Sequence, residues 1–319
     1  MKIDNDCPLN NPQVVAVWPG MGAVAISAGY YLMAKLGMRS LEEMPATEYF
    51  DLDHVDVKRG LILTSRLPRS RLFVWKDPRE ESDLIVFIGE AQPPSNRNAF
   101  CMKLIGHAKE LGVRRVFTFA AMATPMRPEY PSRVFGASID RETLSEFEKL
   151  GVEPLDEGKI SGLNGAFLGL AAENGLVGGC LLGEMPHMFP NVPFPKASLA
   201  VLKVFGSLTG ISVDFEELES QSEKMEVALA KTLGELEASM VQDQAPDSIT
   251  EVPELEPESF VEEMGPSDEE RDRIEALFEA AQRDRSRAYE LKQVLDRLKL
   301  FREYEDRFLD LFKDPEAEG

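Results

Sequence analysis

From Val14 onward, short apolar runs of strand length alternate with longer segments in which apolar residues recur every three or four positions. This pattern predicts strands at 13–18, 46–51, 60–64, 71–75, 83–89, 115–121, 133–138 and 177–183. It predicts helices at 22–36, 96–111, 140–150, 164–174, 195–208 and 215–241. Leu84-Ile85-Val86-Phe87-Ile88 is apolar throughout, as a strand covered on both faces should be. "LILTSRLPRSRLFVWK" reads as a hairpin turning at Pro68-Arg69-Ser70. Alternation with one hairpin predicts an α/β fold, a mostly parallel mixed sheet flanked by helices.

The rhythm stops near residue 240. Residues 241–270 carry 11 Asp or Glu, no Lys or Arg, and the prolines Pro246, Pro253, Pro257 and Pro266. Self-repulsion and missing backbone donors keep such a stretch from packing, so it reads as a linker. Beyond it, Ser267-Asp268-Glu269-Glu270 is a capping box, and the pattern predicts one long amphipathic helix to about Lys313. Ile274, Leu277, Ala281, Ala288, Leu291, Leu295, Leu298, Leu309 and Phe312 form its seam, which Asp284, Arg302 and Glu305 interrupt. A self-pairing coiled coil and a helix lying on the body both satisfy that seam. The expected organisation is an α/β domain over 1–240, an acidic Pro-rich linker over 241–266 and a C-terminal amphipathic helix over 267–319.

Composition narrows the partners. The chain has 319 residues, 43% of them hydrophobic, and a formal net charge of −21. Nucleic acid and anionic membranes are poor partners for such a charge. No segment reaches the roughly 18 apolar residues that span a bilayer, and the N-terminal MKIDNDCPLNNPQ has no apolar signal core. Cys7, Cys101 and Cys180 are far apart and make neither a disulfide framework nor a C-x-x-C site. A reducing cytoplasm is the expected home. His54, His107 and His187 have no histidine or cysteine neighbour at ligand spacing, so no metal site is expected.

Candidate chemistry sits at the expected strand ends. Gly20-Met21-Gly22-Ala23-Val24-Ala25 has G-x-G-x-x-A spacing between a strand and a helix. A dinucleotide fingerprint also needs an acidic residue at the end of the second strand, about twenty positions on. Glu42 and Glu43 lie at that distance but fall in a Leu-Glu-Glu-Met-Pro connection. The glycines therefore read as shaping the turn, and no cofactor is expected. Glu90 and Gln92 follow a buried strand, and Arg97 opens the next helix. Asn164 lies in the glycine-rich turn 158–165, which lacks a P-loop ending, and Glu184 ends another strand three residues before His187. Gly20, Gly22, Glu90, Gln92, Arg97, Asn164 and Glu184 together outline a candidate ligand or interface cleft. No nucleophile elbow accompanies them.

Four stretches carry a family resemblance. "VVAVWPGMGAVAISAGYYLMAKLGM", "RLPRSRLFVWKDPREESDLIVFIGEAQPP", "GKISGLNGAFLGLAAENGLVGGCLLGEMP" and "FPKASLAVLKVFGSLTGISVDFEELESQSEKM" occur in order across roughly residues 12 to 240. Together they resemble the proteasome assembly chaperone 2 family. The resemblance implies an α/β fold like that of nucleoside phosphorylases and, for archaeal and eukaryotic members, scaffolding of proteasome α-ring assembly. Such factors often end in a hydrophobic-Tyr-any tail, whereas this sequence closes with Asp314-Pro315-Glu316-Ala317-Glu318-Gly319.

Two functions follow as expectations. The first is a non-catalytic interaction or assembly-chaperone-like scaffold that self-associates and binds a protein partner. Its tail would engage that partner or the protomer itself through Ile274, Leu277, Leu291, Leu295, Leu298, Leu309 and Phe312. The alternative is a nucleoside-phosphorylase-like small-molecule-binding protein or enzyme using the strand-end cleft.

Overall fold

Gln13–Val17 (β1) is buried along its whole length, because it lies between two parallel neighbours and under helices on both sides. The computed structural model describes residues 8–52, 55, 57, 58, 60–62, 66–242 and 266–313. After β1 come Val24–Lys35 (α1), Arg39–Met44 (β2), Val57–Lys58 (β3), Leu61–Ile62 (β4), Ser70–Trp75 (β5) and Leu84–Gly89 (β6). The chain continues through Arg97–Glu110 (α2), Arg115–Thr124 (β7), Val134–Ser138 (β8), Arg141–Lys149 (α3), Glu153–Pro154 (β9), Gly162–Glu173 (α4) and Val177–Pro186 (β10). Pro195–Thr209 (α5) and Glu216–Gln242 (α6) follow, and Asp268–Arg283 (α7), Ala288–Arg297 (α8) and Phe301–Asp310 (α9) complete the described chain.

Eight strands form one mixed sheet in the order β2-β5-β6-β1-β7-β10-β8-β9. The β6-β1-β7-β10 core is parallel, and β5 and β8 flank it antiparallel. One core layer gathers α1, α5, α6 and the three C-terminal helices, and the other gathers α2 and α4.

Three local expectations are corrected. The hairpin at Pro68-Arg69-Ser70 does not form: Leu61–Ile62 pairs with Val57–Lys58, while β5 runs between β2 and β6. Residues 46–51 are not a strand but contain a 3-10 turn at Ala46–Glu48. The strand of that region is instead Arg39–Met44, which was expected to be a connection. In each case the choice of strand neighbour, a tertiary decision, overrides the local apolar run.

The single C-terminal helix over 267–319 is also corrected. Ser267 caps α7 with both halves of the capping box present, but α7 ends where Asp284 turns extended at φ −142° and caps the next turn through its side chain. A second break falls at Lys299, in the left-handed region at φ +57°. Three short helices result, folded back on one another and on α1. Most of the expected linker, 243–265, lies outside the described residues, as do 314–319.

The glycine turn discriminates between its two glycines. Gly22 has φ +60°, and a Cβ there would fall 2.5 Å from the Met185 sulfur. Gly20 is extended at φ −166° with nothing near the position of an added Cβ. Gly22→Ala should therefore destabilise the protein by about 1–3 kcal/mol, and Gly20→Ala should stay within about 0.5 kcal/mol. Urea unfolding measures both, and equal effects would refute this account of the turn.

Candidate functional site

Strands β1 and β6 are neighbours, yet β1 leads into α1 on one face of the sheet and β6 into α2 on the other. Their outgoing loops diverge, and open α/β sheets place ligands in the crevice so formed. A cavity of about 580 Å³ lies there. Pro19, Ala23 and Glu90 line it from the strand-end loops and Tyr30 from α1; Lys292 and Arg297 of α8 and Phe301 and Glu305 of α9 close the other side.

Helix α1 explains why the C-terminal helices sit there. Its residues from Ala28 to Ala34 are all buried, so it presents apolar surface away from the sheet as well as toward it. Tyr31 meets the Tyr289 ring edge-on at 4.5 Å. Tyr30 meets Phe301 at 5.2 Å and Phe308 at 6.0 Å, and Phe312 reaches Phe73 of β5 at 6.1 Å. Of the tail residues singled out from sequence, Ile274, Leu277, Leu291, Leu295, Leu309 and Phe312 are buried in this layer and Leu298 packs against it half-buried. The seam is thus occupied within the same chain.

A charged network rims this apolar contact. Asp306 pairs with Arg71 at 2.9 Å and with Arg69 and Arg66 at 3.1 Å. Glu305 accepts hydrogen bonds from the Tyr30 hydroxyl at 2.9 Å and from Arg66 at 3.2 Å. Glu90 receives Arg66, the Arg69 amide and Arg71. Burial, then the neighbouring Glu90 carboxylate, pushes Glu305 above the usual carboxylate range. Burial also opposes ionisation of Asp306, but the Arg71 hydrogen bond and the charges of Arg66 and Arg69 outweigh it and hold that carboxyl below its usual range. Lys292, buried, donates to Asp296 at 2.6 Å and stands 4.1 Å from the Phe301 ring centre and 4.8 Å from that of Tyr30, a cation–π position.

The candidates from sequence separate here. Glu90 lines the cavity; Gly20, Gly22, Gln92, Arg97, Asn164 and Glu184 do not. Gln92 joins two neighbouring loops, accepting from the Leu163 amide at 3.1 Å and donating to the Pro19 carbonyl at 3.3 Å. Asn164 donates to the Phe119 carbonyl and Arg97 to that of Pro93. Glu184 is buried and takes a two-pronged Arg133 pair at 2.6 and 2.8 Å plus the Thr124 hydroxyl at 2.7 Å. The Arg133 hydrogen bonds keep its carboxyl below the usual range, against the effect of burial. His187 instead contacts the Thr124 carbonyl, so Glu184 and His187 do not pair. The amides a pyrophosphate would need at the glycine turn are used internally: Gly22 donates to Pro190 and Ala23 to Gly20.

Sequence reasoning missed Tyr30, Arg66, Arg71, Lys292, Arg297, Phe301 and Glu305. Two signals pointed to them. The α1 segment has no polar face, and Arg66, Arg69 and Arg71 concentrate positive charge in a strongly acidic chain.

The family model for the PAC2 family matches residues 14–233. The chain belongs to the PAC2 family. Two uncharacterized Methanocaldococcus jannaschii proteins are each 25% identical to it, over 72% of this chain and 86% and 89% of theirs. Among solved structures it is similar to Pyrococcus furiosus PbaB, an archaeal proteasome activator (23% identity, TM-score 0.61, covering 73% of this chain and 96% of that one). It is also similar to a PAC2 family protein from Streptomyces avermitilis (23%, 0.60, 69% and 95%). A third likeness is to a Mycobacterium tuberculosis proteasome-assembly chaperone homologue (20%, 0.58, 74% and 97%). At these identities the structural likenesses establish the fold. The PAC2 match ends before α7, so the helices that close the cavity lie outside it.

Two acids of the network, Glu305 and Asp306, respond to pH in opposite senses. A carboxyl lowered by folding stabilises above its unfolded pKa, and that stabilisation is lost as pH falls through the folded value. A carboxyl raised by folding costs stability as pH rises from about 4.3, the unfolded Glu value, through the folded one. Asp306→Asn should therefore destabilise the protein at neutral pH, with the difference shrinking as pH falls below about 3.9, the unfolded Asp value. Glu305→Gln, which cannot lose a proton, should gain on the parent protein as pH rises through the acid range. Urea unfolding across that range measures both, and equal neutral-pH losses would contradict the assignment.

Proposed function

We propose that this PAC2 protein is a non-catalytic, assembly-chaperone-like scaffold that self-associates and binds a protein partner in the cytoplasm. The observation that carries this reading is how the strand-end side chains are used. Gln92, Asn164 and Glu184 lie off the cavity, and each holds one element to another by hydrogen bonds, while Glu90, which lines it, accepts from Arg66, the Arg69 amide and Arg71. They build a rigid rim.

Surface chemistry supports partners. Val57, Leu61 and Ile62 expose 64%, 70% and 72% of their area, and on α6 Val227 exposes 70%. Apolar groups left in water at sheet edges and flanking helices suit protein contacts. Among similar structures, one is an archaeal proteasome activator and another an archaeal homolog of proteasome-assembly chaperone; they support the proteasome as the partner class. The alternative, a small-molecule role for the strand-end cleft, is favoured by the 580 Å³ cavity, and the two roles are physically compatible.

Size-exclusion chromatography with light scattering, with and without α subunits from the same host, tests the scaffold reading. The expected result is a defined oligomer that co-migrates with the α subunits. A monomer at every concentration, with no co-migration, would reject the proposal.

A further inference from the structure

Nearly all the ionisable side chains of the cavity wall already have partners. Lys292 donates to Asp296 at 2.6 Å. Glu305 accepts from Tyr30 at 2.9 Å and from Arg66 at 3.2 Å, and Glu90 is held by Arg66, the Arg69 amide and Arg71. Arg297 is exposed, as are Pro19, Pro193 and Asp296, and these four form the mouth; an ion pair made there, in solvent, contributes little.

The rest of the wall is largely apolar, from Ile26 and Tyr30 of α1, Met225 of α6, Tyr289 of α8 and Phe301 of α9. Two hydrogen-bonding groups on it are left over among the described residues. Gln221 uses its carbonyl on the Tyr289 hydroxyl at 2.6 Å, which leaves its NH₂ group, and the Ser27 hydroxyl has no partner. A charged group entering this wall loses its water and meets no free counter-ion inside the mouth. An aromatic ring meets other rings and a thioether, contacts that such rings favour.

We propose that the cavity binds an uncharged aromatic carbonyl compound, its rings against Tyr30, Tyr289 and Phe301 and its oxygen accepting a hydrogen bond from Gln221 or Ser27. The volume, about 580 Å³, falls inside the range of roughly 300–1,000 Å³ typical of small-ligand sites. Phosphate esters bring charge that nothing inside the mouth balances. Adenosine brings ribose hydroxyls and an amino group, more polar groups than the two available can satisfy. Tyr289 and Phe301 lie beyond residue 233, where the family match ends, so a bound ligand touches both the family domain and its C-terminal helices. The proposal rests on the small-molecule reading of the strand-end cleft and is independent of oligomeric state.

Equilibrium dialysis of the full chain against flavone, flavan (the same ring skeleton without the carbonyl) and 3-methylflavone-8-carboxylate tests it. Flavone should bind saturably, one per chain. Flavan should bind about fivefold weaker, the effect of one lost hydrogen bond, and the carboxylate about tenfold or more weaker. Met225→Trp, at a half-buried position of α6, fills the cavity and should abolish flavone binding while circular dichroism shows the variant folded. Of Ser27→Ala and Gln221→Met, one should weaken flavone about fivefold and leave flavan unchanged. Flavone binding that Met225→Trp leaves intact, equal affinity for flavone and the carboxylate, or both donor variants binding flavone as the parent does would overturn the proposal. So would absence of saturable flavone binding: adenosine or inorganic phosphate binding instead would remove only the ligand class, and no binding of any of these probes would remove the small-molecule reading with it.

Discussion

Helix α1 has apolar side chains on every side, and a helix of that kind has to be covered twice. The sheet covers it once, through Val15 and Val17 of β1 and Val86 and Ile88 of β6. The outer cover comes from the other end of the chain, where Tyr289 meets Tyr31 and Phe301 and Phe308 meet Tyr30. Burying one such ring is worth about 1.5–3 kcal/mol, and this packing docks helices that are marginal in isolation. The three helices are docked by aromatic packing, and the charges arrange themselves around that packing.

Several consequences follow from placing this second layer across the ends of β1 and β6. Helix α9 carries acids on the side that meets the sheet edge, and Arg66, Arg69 and Arg71 neutralise them. Because Glu90 already stands at that edge, Glu305 is buried facing a like charge and its proton is held more firmly. The crevice that the diverging loops create is not left as an open groove; it becomes a cavity with one wall from the α/β body and the other from α8 and α9. Structure and electrostatics at this site are therefore joint properties of the family domain and its extension.

The strand ends away from the cavity show the opposite economy. Glu184 holds β8 to β10 through Arg133, and Gln92 bridges the loops after β1 and before α4. Such charge-assisted and amide bonds fix loops that carry little apolar surface of their own. The G-x-G turn belongs to the same group: its geometry is set by Gly22 against Met185 and by backbone bonds to the 190–194 segment.

Sequence by itself determined the alternation of strands and helices, since burial periodicity is a local property of the chain, and it determined the PAC2 fold that this alternation builds. It also marked where α7 starts, through the Ser267 capping box, and which residues of the C-terminal helices are buried, through the apolar seam. Even one of the breaks between them was legible: Asp284 interrupts the seam where α7 ends. What the sequence could not decide was which surface meets which. The heptad seam is identical whether a helix runs on or folds back, so only the tertiary structure chose α1 as its partner. Strand β2 escaped notice because Arg39–Met44 is an edge strand whose identity comes from pairing with β5, and Glu42 and Glu43 were read as connection for that reason. Arg71, Glu90 and Glu305 are 19 and 215 positions apart along the chain, and charge pairing over such separations is encoded by no local pattern. It appears when the fold brings the two ends of the chain onto one helix.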